Sequence, residues 1–118
     1  MCILESVREG PKPVEWLGDS LKRVRAFAKP VRQQVGYELD QHEMEPSDWR
    51  PMTTVGSGVN EIRVHVEGEH RLVYIARLKH AVYVLHAFPK KSRKTSKTEI
   101  ELARARLHEA LRMEALKK

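Results

Sequence analysis

A chain of 118 residues with 41% hydrophobic content has material for one compact domain around a single core. Its 22 Lys and Arg against 16 Asp and Glu give a formal charge of +6, which suits a nucleic-acid ligand and equally an acidic protein partner. A lone cysteine, Cys2, excludes an internal disulfide or a zinc ribbon, and no apolar run reaches the roughly 20 residues of a membrane span, so a cytoplasmic protein without a membrane segment is expected.

Met1 to Gly10 lack the basic stretch and apolar run of a secretory leader, and residues 1–11 read as an N-terminal extension to a domain filling 1–118. Lys12 to Leu17, with Val14, Trp16 and Leu17, predicts a first strand that turns at Gly18 and Asp19. Leu21, Val24 and Ala28 then recur at helical spacing from Ser20, and Pro30 opens a second helix. On that helix Val31, Val35 and Leu39 share one face, Arg32, Gln33, Gln34, Glu38 and Asp40 fall on the others, and the end is expected near Met44. Pro46 to Gly58 holds two prolines, two glycines and small polar residues, which predicts a long loop over 46–60.

Ile62, Val64 and Val66 alternate with Arg63, His65 and Glu67, and the β-rich run Arg71 to Leu78 follows, so a hairpin turning at Glu67-Gly68-Glu69 is expected. Ala81 to Phe88 is nearly all apolar, as a central strand buried on both faces should be, and Lys79-His80 suits another hairpin turn. Ser96 followed by Glu99 has capping-box spacing, and Ile100, Ala103, Leu107 and Leu111 line one face of a C-terminal helix over 96–116. The order β-α-α-β-β-β-α predicts an α+β domain with a small antiparallel sheet and helices packed on one face.

Lys90, Lys91, Arg93, Lys94 and Lys97 follow the central strand as a dense basic segment for which phosphate is the natural ligand. The bland alternative is a solvated basic cap, but cations at a helix start oppose its dipole and repel one another. Arg63 and Arg71 lie on neighbouring strands, where guanidinium forks suit a scissile phosphate; they would equally serve as surface partners of Glu61, Glu67 or Glu69. His42, His65, His70, His80, His86 and His108 show no metal-binding spacing, so no metal site is expected. His65 and His86 are proton-transfer candidates, although a lone strand histidine is more often packed or exposed. Trp16, Trp49 and Tyr74 are candidates for stacking on bases, with Trp16 and Tyr74 better explained as core. Gly-rich nucleotide motifs and triad contexts are missing, so no cofactor is implied.

Three stretches together carry a family resemblance: Glu61-Ile62-Arg63, His70-Arg71-Leu72-Val73-Tyr74, and Val84 through Phe88-Pro89-Lys90-Lys91-Ser92-Arg93-Lys94-Thr95. They resemble the RelE/ParE toxin superfamily of type II toxin-antitoxin systems, in particular its phage-derived HigB-like branch. The resemblance implies a RelE-like fold and a metal-independent endoribonuclease that cuts messenger RNA in the ribosomal A site through the ribose 2′-hydroxyl. It implies catalytic roles for Arg71, Lys90, Lys91 and Arg63, with RNA contacts from Arg93, Lys94, Lys97 and His65. It also implies a helix-turn-helix, HigA-like antitoxin as partner, and leaves ParE-like gyrase inhibition or an inactive binding relative as alternatives on the same fold. The chain departs from that pattern in having no Tyr after Tyr83 and no His between His86 and His108, so the general acid and base are unassigned.

Overall fold

The computed structural model describes residues 12–40, 49–91 and 93–117. In chain order it contains β1 (Val14–Trp16), α1 (Ser20–Ala26), α2 (Lys29–Asp40), β2 (Trp49–Pro51), β3 (Val59–Val64), β4 (His70–Ile75), β5 (Val82–Pro89) and α3 (Lys97–Leu116). The α+β class and the predicted succession of elements are found, with β2 as an additional strand. The N-terminal extension 1–11, His42, and the expected end of the second helix near Met44 lie outside the described residues.

The five strands form one sheet in the order β1-β5-β4-β3-β2. The sheet is mixed rather than antiparallel, because β1 runs parallel to β5, with Val14 opposite Val82 and Trp16 opposite Val84. The physical reason is the connection: α1 and α2 carry the chain away after β1, and the strand that returns to pair with it is the last one, not the next. Part of the predicted loop 46–60 is β2, paired antiparallel with β3 through Trp49 opposite Ile62 and Pro51 opposite Asn60. A proline is tolerated in an edge strand, and three residues are too few to show a periodicity. The chain then turns through Val55, which is buried, and Gly58 at φ 82°.

The helices do not share one face of the sheet. Val24, Val31, Val35 and Leu39 of α1 and α2 pack with Ile62, Val64, Leu72, Tyr74, Val82 and Val84, whereas Ala103, Leu107 and Ala110 of α3 pack with Val59, Val73, Ile75, Tyr83 and Leu85. Alternating residues of β3, β4 and β5 therefore point to opposite helical layers, and β5 is buried from Val82 to Phe88. Glu38, expected on a polar face of α2, is instead buried; it stands seven residues after Val31 on the apolar stripe, and Gln34 Nε2 donates to its Oε2 at 2.7 Å. Trp49 and Trp16 are partly buried against the α2-side core and Tyr74 lies within it.

One irregularity in β5 positions later chemistry. Val73 pairs with His86 but Tyr74 pairs with Val84, so Leu85 is an extra residue. The bulge lets consecutive side chains, Leu85 in the core and His86 beside it, both meet α3. No described helix is long and apolar enough to cross a membrane.

Candidate active site

On the α3 side of the sheet, apolar residues give way to charge toward one end. β3 carries Val59, Glu61 and Arg63 on this side, and β4 carries Ile75, Val73 and Arg71. The antiparallel register sets Arg63 directly opposite Arg71, a like-charge pair that is unfavourable unless an anion lies between. Glu61 supplies it: its carboxylate lies 3.6 Å from Arg71 Nε and 3.9 Å from Arg63 Nε. Arg71 also donates through Nη1 to Glu69 at 3.0 Å and to the His70 carbonyl at 3.2 Å. The Arg71 side chain is only 9% exposed. Even so, the buried Nε atoms of Arg63 and Arg71 and Oε1 of Glu61 have no hydrogen-bond partner among the described residues. The two arginines are thus held around Glu61 by charge, with both buried Nε donors left unsatisfied.

Lys90, at the end of β5, completes this cluster. Its backbone N–H donates to the Glu69 carbonyl at 2.8 Å and its ammonium donates to Thr95 Oγ1 at 3.2 Å. Burial lowers its pKa from the ordinary 10.5; Arg71 and Arg63 push the same way and Glu61 opposes them. Lys90, Lys91, Lys94, Thr95, Phe88 and Glu99 line a pocket of about 200 Å³. Lys94 and Thr95 also border two adjoining pockets, one reaching Thr54, Lys97 and Arg104 and the other reaching Glu61. Lys97 is highly exposed beside Glu101 at 3.8 Å. Arg93 is exposed on the same connection and lines none of these three pockets. His65 sits on the β3–β4 turn, with Nδ1 2.7 Å from Glu69 Oε2; that contact and Arg71 lower the Glu69 pKa.

Behind this pocket His86, a proton-transfer candidate from the sequence, is joined by three residues that sequence reasoning gave no role in the site: Asp19, Glu99 and Arg106. Glu99 is read from sequence only as the end of a capping box, and half of that box forms: Glu99 N–H donates to Ser96 Oγ at 3.3 Å. The Glu99 carboxylate does not return to the cap but meets Nε2 of His86, which is fully buried. Arg106 Nη1 lies 3.4 Å from His86 Nδ1 and donates to the Leu85 carbonyl at 3.1 Å, while its Nη2 is 2.7 Å from Asp19 Oδ1. Burial lowers the His86 pKa, Glu99 opposing and the arginines assisting. The hydrogen bond from Arg106 takes Asp19 down from 3.8 to about 2, against some desolvation and with help from Arg23. Among the described residues no group of three or more His, Cys, Asp or Glu is arranged to hold a metal ion.

The family model described as Phage derived protein Gp49-like (DUF891) matches residues 22–108. The chain belongs to this Gp49-like family. The Gp49-like family lies within the RelE/HigB-like toxin superfamily. The matched stretch of this Gp49-like chain runs from α1 well into α3, and so contains Arg63, Arg71, Lys90, Glu99 and Arg106. Among curated proteins none matches the chain.

Proposed function

We propose that this Gp49-like chain is the toxin of a type II toxin-antitoxin pair, close to the HigB-like branch, and that it is a metal-independent endoribonuclease acting on messenger RNA in the ribosomal A site. The observation that carries the reading is the cross-strand pair Arg63 and Arg71 with Lys90 beside it, three cations gathered around one carboxylate, of which Lys90 lines the lysine-rich pocket and Glu61 an adjoining one. Attack of a ribose 2′-hydroxyl on the neighbouring phosphorus builds negative charge on the phosphoryl oxygens, and preorganised guanidinium donors stabilise it. Arg71 and Arg63 fill that role, Lys90 and Lys91 serve the leaving oxygen and the backbone, and Arg93, Lys94, Lys97 and His65 hold flanking nucleotides. A helix-turn-helix antitoxin presenting an acidic or helical segment would neutralise the same basic face.

The test is induction of the chain without antitoxin, with growth and messenger RNA ends followed together. The wild type arrests growth and leaves cuts that depend on translation. Arg71→Lys keeps the charge that balances Glu61 and Glu69 but loses the fork, and lowers cleavage by about 10²- to 10³-fold, the cost of one oxyanion donor. Arrest with intact messages and a DNA-damage response would replace this reading with gyrase inhibition.

A further inference from the structure

We infer that Glu99 is the general base of this site, held for that task by the chain His86–Arg106–Asp19, which begins at a buried histidine and ends at a half-exposed carboxylate. The inference rests on the RNA-cleavage reading above. It starts from a mismatch between what Glu99 costs and what a structural role needs. A fully buried histidine facing a carboxylate is an expensive way to attach a helix to a sheet, because an apolar pair of the same volume would do so without desolvating polar groups. Here the pair is backed by two more charged residues from different elements, Arg106 on α3 and Asp19 before α1.

The hydrogen bonds diverge from Arg106, back to Asp19 and forward to His86. Asp19 and the Leu85 carbonyl fix the Arg106 guanidinium. Arg106 can only donate, so His86 Nδ1 is an acceptor and its ring proton sits on Nε2. Nε2–H therefore donates to Glu99 Oε1, which orients the carboxylate and leaves Oε2 without a hydrogen-bond partner among the described residues. Glu99 is 28% exposed at the side chain and lines the same pocket as Lys90 and Lys91. His86 is completely enclosed and cannot touch a substrate, which makes it a positioning residue rather than the base. The β5 bulge is what turns His86 toward α3, so a local backbone irregularity and a four-residue polar chain converge on one accessible carboxylate oxygen.

Arg71 stands opposite Phe88 across β4 and β5, and Phe88 lines the pocket with Glu99 and Lys90. A phosphate held by the arginines thus lies beside both groups. In the step, Glu99 Oε2 takes the 2′-hydroxyl proton as O2′ bonds to phosphorus. The P–O5′ bond breaks with its electron pair on O5′, which takes a proton from the Lys90 ammonium. The products are a 2′,3′-cyclic phosphate and a 5′-hydroxyl; Glu99 and Lys90 then exchange protons with solvent.

Single-turnover cleavage of ribosome-bound message by the purified full chain tests this, using an ordinary substrate and one in which sulfur replaces the bridging O5′. Sulfur leaves without needing a proton, so it relieves the loss of an acid and not of a base. Glu99→Gln, which still accepts from His86, is expected to lower the rate about 10²- to 10⁴-fold with ribosome affinity unchanged. Glu99→Asp is expected to recover part of the rate. The Glu99→Gln defect persists on the sulfur substrate, whereas that of Lys90→Ala shrinks. Glu99→Gln or Glu99→Asp folded and cutting like wild type, or a Glu99→Gln defect relieved by sulfur, overturns the assignment while the RNA-cleavage reading stands. A wild type that never cuts overturns both.

Discussion

Asp19 shows how a single side chain can serve two ends. It precedes α1 without capping it, since no side-chain cap bond forms there, and its carboxylate instead joins Arg23 at 3.0 Å and Arg106 at 2.7 Å. The hydrogen bond from Arg106 is the main reason its pKa falls from 3.8 to about 2. A carboxylate whose folded pKa is depressed adds stability above the unfolded value, and that stability is lost as pH falls through the folded one. Asp19→Asn is therefore expected to be less stable than wild type at neutral pH. The difference should shrink as pH falls from 3.8 toward about 2, measured as denaturant midpoints along a pH series. A pH-independent gap would mean that Asp19 acts by packing. The cationic residues of this site are legible in the sequence because alternation on β3 and β4 and one hairpin turn bring Arg63 and Arg71 together. The linkage of His86, itself a proton-transfer candidate from the sequence, to Asp19, Glu99 and Arg106 is not, since 87 residues separate Asp19 from Arg106 and only tertiary packing closes that gap.

At the scale of elements, α3 does most to position the site. Its start is fixed by Ser96, and its buried Ala103, Leu107 and Ala110 let a helix of 20 residues lie close against β4 and β5. Leu107 is 6% exposed and reaches across to the β2–β3 turn, where a Cβ on Gly56 would come within 2.3 Å of its Cδ2. Leu107→Ala should cost about 2 to 5 kcal/mol in chemical unfolding, from lost burial and the cavity left behind. Such a loss also loosens the seat of Glu99 and Arg106, so cleavage should fall with stability. A loss below about 1 kcal/mol would show that the turn collapses onto the space. The helix was readable from its cap and its spacing, as were β3, β4 and β5. The strand β2 was hidden by its length and its proline, and the division of helices between two faces follows from a β1–β5 pairing that no local pattern encodes.

Over the whole molecule the formal charge of +6 matters less than where it is concentrated. The groove joins Lys90 and Lys91 at one end to Lys97 and Arg104 at the other, through Lys94 and Thr95, which border all three adjoining pockets. Arg104 is turned back onto the Thr54 carbonyl, and Lys97 faces Glu101 only across an exposed 3.8 Å contact, which contributes little against solvent. A single RNA strand lying along this groove would meet Lys94 and Lys97 away from the reacting phosphate. Each neutralised phosphate releases counterions, so the logarithm of affinity falls with the logarithm of salt by about 0.7 per contact on a single strand. Lys94→Gln with Lys97→Gln should flatten that dependence by about 1.4, while the cleavage rate at saturating chain stays at its wild-type value. An unchanged salt slope would take the strand off this path and leave the lysines as a surface for the antitoxin alone. A reduced rate at saturation would instead place one of them at the reacting phosphate, because a contact that only holds the backbone binds ground state and transition state alike.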